Sequence, residues 1–100
     1  MSITITILAA GIVVLVTRGH FTRAVVGRFQ SAVRQVMSQS RPAEIRVDLG
    51  GVVEVDHAAV DAMLDTARTL AGAGTRMVVC NPSQHVRGVV NAGGAGHLIA

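Results

Sequence analysis

A strand-like apolar run opens the chain and restricts its fold more than any other feature of the sequence. Residues 3–7 read Ile-Thr-Ile-Thr-Ile, the period-two pattern that places successive side chains on opposite faces of a β-strand. Residues 12–17 form a second apolar run, and Ala9-Ala10-Gly11 between the two runs is a predicted tight turn. The sequence therefore predicts a β-hairpin with strands at residues 3–8 and 12–17.

The same apolar stretch has to be weighed as a membrane or export segment. Residues 3–16 are fewer than the roughly 20 apolar residues that cross a bilayer. No positive charge precedes the run and no cleavage pattern follows it, so a signal peptide is not indicated. The single cysteine, Cys80, permits no internal disulfide and fits a reducing compartment. We expect a cytoplasmic protein that does not insert directly into a membrane.

After the hairpin, the apolar residues take the spacing of an α-helix. Gly19 is predicted to end the second strand, and Thr22 to cap a helix that runs to about residue 38. Pro42 cannot continue this helix and marks its end. One apolar stripe is predicted to face the core, formed by Val25, Phe29, Val33 and Val36.

Two further strand–helix units follow. Residues 44–49 alternate as a strand, Gly50-Gly51 is predicted to open a loop, and Asp56 to cap a second helix. Residues 76–80 are predicted to form a short buried strand, and Ser83 is predicted to cap a third helix. Residues 98–99 are predicted either to add an edge strand or to cover the core. The second helix is predicted to bury Val60, Met63, Leu64, Ala67 and Leu70.

The order of these elements predicts an α/β fold in a single domain spanning residues 1–100. Helices that alternate with strands imply parallel crossovers, whereas the opening hairpin supplies an antiparallel pair. We therefore expect a mixed sheet of four to five strands with three helices packed on it. The residues predicted to be buried are Val25, Phe29, Val33, Val47, Leu64 and Val78.

The sequence shows no pattern of catalytic, metal-binding or nucleic-acid-binding residues. The nine cations are all arginines without a basic run, and Phe21 and Phe29 are the only aromatic residues, too few for a base-stacking platform. The glycine-rich residues 93–96 follow a helix and lack the lysine of a phosphate-binding loop. We expect no enzymatic activity, no metal, no cofactor and no nucleic acid partner. The four histidines are far apart in sequence and show no ligand spacing: His20, His57, His85 and His97.

Residues 47–60, Val-Asp-Leu-Gly-Gly-Val-Val-Glu-Val-Asp-His-Ala-Ala-Val, resemble the signature of a STAS domain. In that family an apolar strand ends in Asp-Leu, and Asp-Ser-Ser/Thr-Gly-Leu follows at the start of a helix. Residues 19–22 fall where the family commonly has Gly-Glu-Leu-Asp. Residues 73–83 are similar to its glycine-containing turn, fourth strand and Asn-Pro-Ser-like cap. With the late glycine before residues 97–99, the resemblance covers nearly the whole chain.

The resemblance implies a STAS-like fold and the function of an anti-sigma-factor antagonist, a partner-switching regulator of transcription. Such antagonists bind an anti-sigma factor, often a serine kinase, and phosphorylation at the start of the second helix ends the binding. A phosphate adds about −1.5 to −2 charges to a tight interface. The partner surface implied by the resemblance consists of Gly19, His20, Phe21, Thr22, Arg23, Asp56, His57, Ala58, Ala59, Val60 and Asp61.

The sequence departs from the family pattern at the switch itself. Ala58 stands at the phosphorylatable position, between His57 and Ala59, and it has no oxygen that a kinase can modify. Thr22 replaces a common aspartate. The chain is therefore expected to be a permanently active antagonist, or a member of another STAS branch. The alternative is a STAS subunit of a membrane transport assembly, bound to the ATPase of a lipid ABC transporter. A nucleotide-binding STAS module has no motif to support it.

Overall fold

The computed structural model describes residues 1–9 and 11–100, and it confirms the predicted α/β fold with three helices. The predicted turn at Ala9-Ala10-Gly11 lies partly outside the described residues. A 3₁₀ turn, Arg23–Val25, precedes the first helix, and another, Gly96–Leu98, follows the third. In chain order the elements are β1 (Ser2–Ala9), β2 (Ile12–Phe21), α1 (Val26–Gln39), β3 (Glu44–Val55), α2 (His57–Gly72), β4 (Arg76–Cys80) and α3 (Gln84–Ala92).

The four strands form one sheet in the order β1-β2-β3-β4. β1 pairs with β2 antiparallel, and β2–β3 and β3–β4 are parallel, which confirms the predicted mixed sheet with an opening hairpin. The final residues add a single bridge between Val79 and Ile99 instead of a fifth strand. The amide of Ala100 donates a further hydrogen bond to the Val79 carbonyl at 2.9 Å.

Alternate residues of the central strands are buried and form one core with the apolar residues of the helices. Phe29 and Val33 of α1, Val47 of β3 and Val78 of β4 are buried as predicted. The predicted core residues Val25, Leu64 and Ala67 are only half-buried, and all three pack against the cluster of buried residues. The buried members of this cluster include Val13, Leu15, Phe21, Phe29, Ile45, Val47, Leu49, Met63 and Val79.

Strands β2 and β3 are longer than the glycine positions predicted. Gly19 does not end β2, and Gly50-Gly51 lies inside β3 instead of opening a loop. The register of β2 against β3 shifts twice, after Val16 and after Gly19, and β3 carries one extra residue at each shift. The glycines therefore mark bulges, where a strand bends and twists without ending.

Close backbone approach explains why a glycine is needed in the middle of β3. A β-carbon at Gly51 would lie 2.7 Å from Cγ of Arg18 and 3.2 Å from the Thr17 carbonyl oxygen. Gly19 itself adopts a φ of +95°, a conformation that residues with a β-carbon rarely take. With these irregularities β2 and β3 stay paired up to Phe21 and Val55, so both strands end at the same place.

Candidate partner-binding surface

The two segments implied as a partner surface meet where β2 and β3 end. Phe21 pairs with Val55, and the amide of Asp56 donates to the Phe21 carbonyl at 3.3 Å. Residues 19–23 and 56–61 are thus adjacent in space although more than 30 residues separate them in sequence. We call these two segments together the strand-end surface.

Asp56 connects the starts of two helical segments. One carboxylate oxygen accepts a hydrogen bond from the Ala59 amide at 2.9 Å, which is the predicted N-cap of α2. The other oxygen accepts from the Arg23 amide at 2.9 Å, at the start of the 3₁₀ turn before α1. A single side chain thereby satisfies amide donors that two helix starts would leave unpaired.

The Thr22 cap predicted from the sequence is not made. Its backbone has the extended conformation of a cap, but its side chain forms no capping hydrogen bond, and α1 begins at Val26. The Asp56 carboxylate occupies the role instead, because β2 and β3 end side by side and bring it to the Arg23 amide.

These hydrogen bonds set the electrostatics of the surface. The Arg23 amide, and after it the Ala59 amide, hold the pKa of the Asp56 carboxyl below its usual range, because both stabilise the charged form. Asp56 is therefore ionised at neutral pH, and its oxygens are already engaged within the domain. The carboxylate most available to a partner on this surface is the exposed Asp61.

The exposed side chains of the strand-end surface carry both signs of charge. Nδ1 of His20 lies 3.8 Å from a carboxylate oxygen of Glu54, its neighbour across β2 and β3. Both side chains are more than half exposed, so this contact adds little to stability. Arg23 and His57 are exposed as well, and both are free to meet a partner that approaches the end of the sheet.

Three residues implied as partner contacts lie in the core instead. Phe21, Ala59 and Val60 each have 0% exposure, so they support the surface from beneath without presenting side chains to a partner. The rings of Phe21 and Phe29 are 5.1 Å apart between centroids and tilted by 50°. Val60 lies against Gly93, where a β-carbon would be 2.5 Å from Cγ1 of Val60. The helical spacing had predicted the burial of Val60, and that prediction is confirmed.

Ala58 is the second residue of α2 and is a half-buried member of the strand-end surface. It follows the exposed His57 and lies near the exposed Asp61 along the first turn. The position lies at the positive end of the helix dipole, where a negative group is favoured within the chain itself. A negative group at this position would therefore affect the binding of a partner to this surface more than the folding of the domain.

Within residues 1–9 and 11–100, no three His, Cys, Asp or Glu side chains lie close enough to hold one metal ion. Burial raises the pKa of the half-buried Cys80 thiol, which disfavours the reactive thiolate. No helix in the described part of the chain is long and apolar enough to cross a membrane.

Sequence reasoning missed two contacts of the strand-end surface. The contact of Glu54 with His20 was missed, because Gly50-Gly51 was predicted to open a loop and the later pairing of β2 with β3 was therefore hidden. The bond between Asp56 and the Arg23 amide was also missed, since no local signal connects residues 33 positions apart. The order of strands was the available signal, because parallel neighbours end at the same edge of a sheet.

No curated protein matches the chain by sequence. Solved structures do match it along most of its length. The anti-sigma factor antagonist SpoIIAA in its unphosphorylated form is 20% identical, with a TM-score of 0.85 over 99% of this chain and 86% of that chain. An anti-sigma factor antagonist described as putative, from Thermotoga maritima, is 13% identical, with a TM-score of 0.82 over 97% of this chain and 82% of that one.

A transporter-related structure is similar as well. A sulfate transporter family protein from Wolinella succinogenes is 18% identical, with a TM-score of 0.79 over 95% of this chain and 76% of that one. At such identities these likenesses show a shared fold. Residues 8–100 match the family model described as "Mlab, STAS domain", and the chain therefore belongs to the STAS domain family.

Proposed function

We propose that this STAS domain is a non-enzymatic antagonist that binds an anti-sigma factor through the strand-end surface, without control by phosphorylation at the start of α2. The observation that carries the proposal is the half-buried alanine at position 58 of that surface, in the first turn of α2. In the family pattern the equivalent hydroxyl is the switch, and here no hydroxyl is present. The domain is therefore competent to bind whenever it is folded.

The physical basis of the proposal is the arrangement around Ala58. Asp56 fixes the starts of both helical segments, so the surface is organised before a partner arrives. The surface combines the half-buried Ala58 with the exposed side chains of His20, Arg23, His57 and Asp61. A combination of apolar and polar groups is the usual composition of a protein interface. The fold shared with the antagonist SpoIIAA supports the same class of partner.

The test is a binding measurement with the purified serine-kinase anti-sigma factor from the same cell. We expect the dissociation constant to be the same in ADP and after incubation with ATP, and the intact mass of the chain to stay unchanged. A phosphate on Thr22, Thr66 or Ser83 that releases the partner would overturn the proposed mode of regulation. The isolated chain should turn over neither ATP nor GTP after stringent purification.

A second candidate is a subunit of a membrane transport assembly. It is supported by the likeness to the sulfate transporter family protein. That likeness supports a transport assembly in general, and the ATPase of a lipid ABC transporter is the partner that we propose within it. Parallel binding assays separate the two candidates, since tight binding to the ATPase and none to the anti-sigma factor selects the second.

A further inference from the structure

The outer edge of β1 is an uncovered strand edge with exposed apolar side chains. β1 is the first strand in the sheet order, and within residues 1–9 and 11–100 only β2 pairs with it. At the opposite edge, β4 receives a bridge from Ile99. Ile7 is 76% exposed and Leu8 is 57% exposed, and both lie on β1. Unpaired backbone groups beside exposed apolar residues are a template for pairing with another strand.

The usual protection of an edge strand is missing from most of β1. Such strands normally carry charged residues, a proline or a bulge that prevents pairing. The sequence has no charged side chain and no proline before Arg18. The only register shift of β1 lies at its end, between Ile7 and Ala9. Residues 2–7 thus offer a regular, uncharged edge.

The sequence of this edge is symmetric. Residues 3–7 read the same in both directions, Ile-Thr-Ile-Thr-Ile, with Ile5 at the centre. We propose that β1 pairs antiparallel with β1 of a second copy of the chain, about a two-fold axis at Ile5, so that two four-stranded sheets join. This proposal goes beyond the proposed function and does not depend on it. Self-complementary pairing of one patch is the standard form of a two-fold dimer.

In this register each of the five central residues lies opposite a residue of the same type in the second copy. Ile3 lies opposite Ile7 of the second copy, so the exposed Ile7 side chain gains an apolar neighbour. Thr4 lies opposite Thr6 of the second copy on the other face of the sheet. Cross-strand pairs of β-branched residues and of threonines are favourable.

The face of the sheet that carries the isoleucines also leaves room beside the edge. Ile3 and Ile5 are half-buried and line a groove against the outer side of α1. The helix contributes the small residues Gly27, Ser31 and Ala32 there, together with the longer side chains of Arg28 and Gln35. The second copy can approach β1 beside the small residues, and Arg28 and Gln35 are exposed side chains that can turn away from it.

Charge does not prevent this pairing, although it does not select it. The net charge of +3 repels a second copy at long range, and Arg28 lies beside Ile3 and Ile5. The side chains of β1 itself are uncharged, so the pairing brings no like charges directly opposite one another. The symmetry of residues 3–7 is therefore what favours a second copy as the partner.

The test is the oligomeric state of the chain alone, by sedimentation equilibrium, so a failure of the partner assays does not affect it. We expect a monomer–dimer equilibrium. Substitution of both threonines, Thr4→Lys with Thr6→Lys, places lysine opposite lysine twice and should raise the dimer dissociation constant at least about tenfold. The matched variant, Thr4→Glu with Thr6→Lys, places opposite charges together in this register and should restore the dimer.

Disulfide trapping supplies a second measurement that depends on the register and not on charge. In a Cys80→Ser background, Ile5→Cys places two thiols on the axis, within the Cα separation that a disulfide requires. Ile3→Cys is the control, because its two copies would lie about 14 Å apart. Crosslinking at position 5 but not at position 3 is expected. A natural chain that stays monomeric to about 1 mM, or equal crosslinking at both positions, would overturn the proposal.

Discussion

The second and third helices start with the same capping device, yet only the second is tied to another element. Asp56 accepts from the Ala59 amide at 2.9 Å, and Ser83 accepts from the Val86 amide at 3.2 Å. Ser83 has one side-chain oxygen and its cap is local. Asp56 has two, and the second holds the Arg23 amide. The start of α2 is therefore fixed to the start of the α1 segment, and this is where the strand-end surface lies.

The two kinds of cap suit different roles. A local cap decides where a helix begins but leaves its direction to packing. A carboxylate that bridges two chain segments also fixes how those segments lie relative to each other. A surface made from both segments is then preorganised, which lowers the entropy lost when a partner binds.

The largest effect is expected beneath the start of α2. Val60→Arg places a charged side chain at a position with 0% exposure, and we expect a loss of at least about 4 kcal/mol or failure to fold. His57 lies three residues earlier and is exposed, so the free energy of unfolding of His57→Glu should differ from that of the natural chain by less than about 0.5 kcal/mol. Urea denaturation followed by circular dichroism measures both. Similar stabilities would contradict the placement of Val60 in the core.

The two caps should differ in what their removal costs. Asp56→Ala removes the acceptor of two amides and should lower the free energy of unfolding by about 2 kcal/mol. Ser83→Ala removes one local bond and should cost about 1 kcal/mol or less. Urea denaturation again gives the comparison. Equal losses would mean that the bond to Arg23 contributes nothing.

The dependence of the unfolding free energy on pH should show the contribution of the Asp56 carboxylate. Its folded-state pKa lies below that of the unfolded chain, about 3.9, so its contribution is present above that pH. The contribution is lost as the pH falls through the lowered folded-state pKa. Asp56→Asn cannot titrate, and its unfolding free energy should fall less steeply in acid. Ser83→Ala is the control, because it removes a helix cap that carries no titratable group and should keep the natural dependence on pH.

Local signals in the sequence predicted the starts of the second and third helices, but neither the start of α1 nor the strand ends. Asp56 and Ser83 were predictable because a cap binds an amide three residues ahead. Gly50-Gly51 was misinterpreted because paired glycines mark turns and bulges alike, and only the register against β2 separates the two. The length of β3 therefore depended on tertiary pairing.

The position of the candidate site could be predicted from the sequence, but the burial of its individual residues could not. The family pattern named residues 19–23 and 56–61, and the parallel pairing of β2 with β3 brings them together. Which of them reach solvent depends on packing, and Phe21 and Ala59 are fully buried beneath the surface. No spacing rule applies to Phe21, since the predicted strand ended before it.

The most direct test of the account compares equivalent positions on the two helices. Ala58 and His85 are both the second residue of a capped helix, on α2 and α3, and His85 is exposed. Ala58→Glu and His85→Glu each add one negative charge where the helix dipole tolerates it, so both variants should stay folded by circular dichroism. The dissociation constant for the anti-sigma factor is then measured for each variant. The account predicts at least a tenfold loss, about 1.4 kcal/mol, for Ala58→Glu and less than about a twofold change for His85→Glu. Equal affinities of the two folded variants would contradict it.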